Sequence, residues 1–205
     1  PATAAQAGIG ADDLAHPQLR QRVNAAKRIN LVQAHDLVGA VVEEATAVSG
    51  NGTVGVFVND VPTALAVASA LDGTIELVCG RLRPADVARL RDRRPSLLTP
   101  RGDDDVDFLV STQSLEVGVD LDLGSMVSVL APAHALAQRA GRLNRSGSRR
   151  ESTFTVVVPR DLRKGAGPYT VDALEEALAW LARIGESISP LAVLDSQLPV
   201  PPRPL

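Results

Sequence analysis

The sequence predicts an α/β chain built on a parallel sheet with helices on both faces. Three observations carry this. Short apolar runs bounded by turn residues alternate with amphipathic stretches along most of the chain. Runs such as VDFLVS are short, apolar and bounded by turn residues, as buried strands are. At 205 residues and 45% hydrophobic, the chain is long enough to bury a proper core.

The first 26 residues are Ala-rich and polar, with a short helical pattern from Leu14 to Val23, and read as an incoming linker. Arg28–Gln33 is the first strand, and the apolar periodicity of 36–48 makes a helix. Thr53–Val58 (TVGVFV) is a strand. Pro62–Leu71 is a helix with proline in its first turn, where a missing N–H is harmless. Thr74–Cys79 is the third strand and Pro84–Arg93 the helix after it. Val106–Ser111 (VDFLVS) and Ser125–Leu130 are short buried strands. Ala133–Leu143 is a helix, and Thr153–Val158 (TFTVVV) the last strand. After Pro159 the Gly/Pro-containing stretch PRDLRKGAGPY reads as a linker at a domain boundary. It is followed by an amphipathic helix over Val171–Ile184 and an extended, proline-rich tail. The reading is therefore a linker over 1–26, a domain over 27–160 and a C-terminal extension over 161–205.

Aromatics make up only 2% of the chain, so Ala, Val and Leu must fill the interior. The net charge of -3 exerts no global pull on nucleic acid. The charges are nevertheless segregated. Arginines crowd 81–101 and again 139–150, while Asp103, Asp104, Asp105 and Asp107 form an acidic block. The plain reading of such runs is solvated surface. The single cysteine, Cys79, excludes an internal disulfide and points to a reducing, cytoplasmic setting. No apolar run is long enough to span a membrane. The opening PATAAQAGIG lacks both an initiator methionine and a basic leader, and reads as a piece of a longer protein.

Two segments carry chemistry. STQSLEVGVDLD, Ser111–Asp122, follows a buried strand. QRAGRLNR, Gln138–Arg145, sits on the predicted helix after the next strand. Three-residue spacing puts Arg142 and Arg145 on one helical face, with Gln138 one turn earlier. A guanidinium pair so placed grips phosphate oxygens through paired hydrogen bonds. Gly141 allows close approach of a backbone or nucleotide. Simpler roles stand beside these. Asp120 and Asp122 can cap a turn, Thr112 can bond its own backbone, and Asn59 can be the N-cap of the following helix.

The two segments resemble motifs V and VI of superfamily 2 helicases. VGVFVNDVPTA, ending its strand near Asn59, resembles motif IV. GRLRPADVARL, TQSLEVGVDLD and QRAGRLNRSG are similar to the helicase–nuclease of type I CRISPR systems, over roughly residues 27–158. The resemblance implies the second RecA-like domain of an ATP-dependent motor. It implies arginine fingers at Arg142 and Arg145, and a glutamine near the γ-phosphate at Gln138. Gly118 and Asp120 would approach the ribose. Thr112, Asn59 and Arg81 would touch a single DNA strand. ATP and Mg²⁺ would be held mainly by a first RecA-like domain, since the chain has neither a G-x-x-x-x-G-K-[ST] loop nor a D-E box after an apolar run. A CRISPR surveillance complex is the implied recruiting partner. A metal-dependent nuclease site is not expected, because His16, His35 and His134 lie in unrelated contexts and His35-Asp36 lacks converging ligands. Two other readings stay open or fall. A non-catalytic binding module would need no γ-phosphate clamp. A dinucleotide enzyme would need a G-x-G-x-x-G turn, which the sequence lacks.

Overall fold

The computed structural model describes residues 14–50, 52–80, 83–116 and 119–199. Its elements run α1 (Pro17–Val23), β1 (Arg28–Ala34), α2 (Leu37–Ala47), β2 (Val54–Phe57), α3 (Val61–Ala70), β3 (Ile75–Val78), α4 (Pro84–Arg93) and β4 (Phe108–Ser111). A 3₁₀ turn (Gln113–Leu115) then leads to β5 (Ser125–Val129), α5 (Ala133–Ala140), β6 (Thr153–Pro159), α6 (Leu162–Gly165), α7 (Val171–Ile184) and α8 (Pro190–Asp195).

The six strands form one sheet in the order β1-β6-β5-β2-β4-β3, and every pairing is parallel. Side-chain alternation divides the core in two. Val54, Val56 and Val58 point to one face with Phe108, Val110, Val127 and Val157, where α2 and α3 cover them through Val41, Ala45, Ala64 and Val67. Phe57, Leu109, Met126, Phe154 and Val156 point to the other face, under Leu136 of α5 and Leu174, Trp180 and Leu181 of α7. This is the α/β architecture expected from sequence, and most elements fall within two residues of the expected bounds.

The segment after Pro159, expected as an appended extension, shares the main core. Trp180 is fully buried, and its indole Nε1 donates to Ser196 Oγ at 2.8 Å. The chain after α7 returns to the start of the sheet, where Ile29 N donates to Glu186 O and Ile188 N to Lys27 O. Val23 and Ala25, from the expected linker, are buried as well. The amphipathic stripe of α7 had to be covered, and the sheet face is what covers it. Of the expected extended tail, Leu198 packs on the core and 200–205 lie outside the described residues.

Candidate functional site

The expected helix over 133–143 ends early. The last helical residue is Ala140, so Arg142 and Arg145 do not share a helical face. The cause is tertiary. Leu143 forms a bridge with Leu123, with Leu123 N donating to Arg142 O and Asn144 N to Leu123 O, both at 2.8 Å. Asn144 then turns the chain in the left-handed region, at φ 42, a conformation asparagine tolerates better than most residues. Its buried side chain accepts from Arg149 N and donates to Ala26 O and Arg149 O. Asp122 completes the turn by accepting from Arg145 N at 2.7 Å and Ser146 N at 3.3 Å. The turn-capping role is thus what Asp122 does.

The turn gathers Arg142, Arg145 and Asp120 by another route. Arg145 Nε pairs with Asp120 Oδ1 at 2.7 Å, with both side chains largely exposed. Arg142 is partly buried and donates from one terminal nitrogen to Glu116 O at 2.7 Å. Its Nε is buried and, among the described residues, has no hydrogen-bond partner. Burial and, next to it, the Arg145 charge hold the Arg142 pKa below the usual arginine range, with Asp120 acting in the opposite sense. Arg142, with a donor uncommitted among the described residues, and Arg145, whose charge acts on it, make a locus of positive potential. Gln138 stands exposed on the last turn of α5, four residues before Arg142. Gly118 lies outside the described residues.

A second feature is a groove of about 510 Å³ at the carboxyl ends of β3 and β4, lined by Asp60, Val61, Gly80, Thr112, Ser114 and Pro168 among others. Asp60, rather than Asn59, caps α3 through Thr63 N. Asn59 was expected to reach a nucleic-acid strand, but its side chain is only 3% exposed. Asn59 Nδ2 donates inward to Leu130 O at 2.8 Å, so this side-chain amide is committed to the protein although the residue lines the groove. Thr112 is also buried. Its hydroxyl accepts from Gly80 N at 3.3 Å and lies 3.2 Å from Ser114 Oγ, which itself bonds Gly80 O. Gln113 Nε2 donates to Asn59 O and Tyr169 Oη. Gly167, at φ +61, sits where a Cβ would come within 2.9 Å of Asn59 Cβ. The Gly/Pro stretch read as a linker is therefore part of this wall. Arg81 lies outside the described residues.

Three buried charged residues of this region, Arg139, its partner Glu116 and Lys27, were not anticipated. Arg139, counted with the surface charges, is fully buried. Its Nε and one terminal nitrogen hold Glu116 Oε1 at 2.9 and 2.8 Å, and the other terminal nitrogen donates to Ser128 Oγ at 2.8 Å and Val129 O at 3.2 Å. Its guanidinium carbon lies 5.7 Å from the centre of the Phe57 ring. A sequence signal existed: Arg139 is three residues after Leu136 and thus on the apolar face of α5. Lys27 is the third, 3% exposed, with Nζ donating to Ala140 O at 2.8 Å.

Elsewhere the charge runs are partly neutralised. Arg93 and Arg94 both pair with Glu76, and Arg83 pairs with Asp86. His35 lies against Arg160, whose terminal nitrogen is 2.9 Å from His35 Nε2. Among the described residues, no helix is long and apolar enough to cross a membrane.

Residues 50–148 match the family model described as CRISPR-associated nuclease/helicase Cas3, C-terminal. A stretch of 81 residues is 38% identical to a putative CRISPR-associated nuclease/helicase Cas3 of Myxococcus xanthus, covering 38% of this chain and 10% of that protein. The crystal structure of T. fusca Cas3-ATP has a TM-score of 0.68 at 20% identity over 83% of this chain and 23% of its own. The C-terminal domain of the DEAD-box protein Dbp5 has a TM-score of 0.50 at 18% identity, over 78% of this chain and 88% of its own. The fold is that of a RecA-like helicase C-terminal domain. The chain spans only a small part of the length of these Cas3 relatives.

Proposed function

We propose that this chain, whose residues 50–148 match the family model of the Cas3 C-terminal region, is the second motor domain of an ATP-dependent CRISPR helicase. It works on a single DNA strand beside a first RecA-like domain that holds ATP and Mg²⁺. The single observation carrying this reading is the turn after α5, where Arg145 is held by Asp120, its charge acts on Arg142, and Arg142 Nε is buried with no partner among the described residues. A fold has little reason to crowd two cations and leave a buried donor open unless an anion completes the set.

The residues present fit a nucleotide phosphate. ATP, when bound between the domains, supplies the phosphoryl group that passes to water. Arg142 and Arg145 direct guanidinium donors toward oxygens that carry the developing charge. Gln138, exposed on the same end of α5, has the donor and acceptor needed to orient a water. Asp120 holds Arg145 in place while the phosphate is absent. The groove beside Thr112 and Ser114 takes the strand, reading no sequence, as suits a motor. A CRISPR surveillance complex is the partner this reading assigns.

The experiment compares the 205-residue chain with the full-length helicase that carries it. The chain alone should release no phosphate from ATP above background, because it lacks a phosphate cradle, while the full-length protein should do so on addition of single-stranded DNA. Steady phosphate release by the chain alone, abolished by Arg142→Ala, would contradict the reading.

A further inference from the structure

The groove and the arginine turn lie on different connections of the sheet, yet one buried residue touches both systems. Glu116 closes the 3₁₀ turn that follows Thr112, its N–H bonding Gln113 O. Its backbone carbonyl accepts from Arg142, and its carboxylate holds the buried Arg139. Arg139 in turn reaches Asn59 Oδ1 at 3.4 Å, behind the groove wall, and β5 through Ser128 and Val129. Gln113, three residues before Glu116, bonds Asn59 O and Tyr169 Oη.

We propose that the buried Glu116–Arg139 pair is a positioning device that fixes the Arg142 guanidinium and couples it to the occupancy of the groove. The inference rests on the motor reading above. Its physical basis is stiffness. A guanidinium is a planar fork with donors in fixed directions, and here its three nitrogens are engaged from β5, the 3₁₀ turn and Asn59. The interior around it is close-packed, with Phe57 against its face, so a displacement is passed on rather than absorbed. An occupant that shifts the 3₁₀ turn carries Glu116 with it, because the turn is closed by the bond from Glu116 N to Gln113 O. Moving Glu116 moves the carbonyl that holds Arg142. Neither Glu116 nor Arg139 needs to touch nucleotide or DNA for this to work.

The test uses the full-length helicase with the double variant Glu116→Leu, Arg139→Met and the single variant Arg139→Lys. Replacing both members of a buried ion pair by apolar residues of similar size commonly preserves stability. Arg139→Lys keeps the charge opposite Glu116 but loses the fork. Steady-state turnover and KM for ATP are measured against single-stranded DNA concentration, with melting temperature alongside. The expected result is a fall in DNA-stimulated turnover on the order of 10²-fold, the scale of an ångström-sized misplacement. KM for ATP should change little, and the melting temperature should stay above the assay temperature. Wild-type turnover in both variants overturns the proposal. So does loss of activity only where the variants have unfolded, which assigns the pair to stability alone. Arg142→Ala is run in parallel. If it too keeps its turnover, the motor reading itself has failed. If it alone loses turnover, only the coupling role has.

Discussion

Replacing Lys27 by methionine should flatten the pH dependence of stability between pH 8 and 10.5. Lys27 lies under the chain that enters the sheet, 3% exposed, with its ammonium on the last carbonyl of α5. Burial lowers its pKa from 10.5 to about 8; Asp122 opposes that shift and Arg145 adds to it. Below pH 8 the lysine is protonated in folded and unfolded chains alike, and the full cost of burying the charge is present. Between pH 8 and 10.5 the folded state gives up its proton while the unfolded chain keeps it. Stability therefore rises with pH across that window. At roughly 1.4 kcal/mol per pH unit, the cost removed is about 3 kcal/mol. Lys27→Met removes the charge but leaves the Ala140 carbonyl without this donor, a loss of about 1–3 kcal/mol. The two nearly offset at pH 7, so the variant should start close to wild type. At pH 10 wild type should be ahead by roughly 2–3 kcal/mol. Urea unfolding followed by the fluorescence of Trp180, the chain's one tryptophan, measures this directly. Other titrating groups are common to both proteins and cancel in the difference. Parallel pH profiles for the two proteins would refute the reasoning, since Lys27 would then titrate alike folded and unfolded.

Two further outcomes follow from the fold and the groove. Trp180→Ala should destabilise the chain by about 3–5 kcal/mol, because the side chain is fully buried against the sheet; a change under about 1 kcal/mol in urea unfolding would mean that α7 is not part of the core. Single-stranded DNA should bind weakly and without sequence preference, its affinity falling with salt at a slope of about -0.7 per phosphate neutralised. Fluorescence titration showing salt-insensitive or strongly sequence-selective binding would count against the groove as a strand path.

Much of the fold was legible in the sequence because its signals are local. A run such as TFTVVV reads as a strand, and the amphipathic stripe of α7 marks it over Val171–Ile184, the bounds the structure shows. What failed to show was set by partners far along the chain. The helix after β5 stops at Ala140 because Leu123, from another connection, bridges Leu143. Arg139 read as surface although its spacing from Leu136 puts it on the apolar face of α5, because Glu116, which makes burial of its charge tolerable, is 23 residues away. Lys27 was invisible as a buried group for the same reason, its acceptor lying 113 residues on. Asn59 and Thr112 were identified by resemblance as strand contacts, and neither position alone reveals that it is buried and bonded within the protein. The Gly/Pro run before α7 suggested a boundary, whereas Gly167 is there to let the chain pass against Asn59.

The most direct test of the motor assignment is the DNA-stimulated ATP turnover of the full-length helicase carrying Arg142→Ala, read against Arg149→Ala. Arg149 is exposed beyond the turn and its side chain donates to Asp122 O, so it serves as the control. An arginine delivered from a second domain is worth ~10³–10⁵ in rate, about 4–7 kcal/mol of barrier. Arg142→Ala should therefore nearly abolish turnover while ATP affinity and melting temperature stay close to wild type, and Arg149→Ala should keep most of its activity. Turnover retained in Arg142→Ala, or lost only together with the fold, would contradict the assignment.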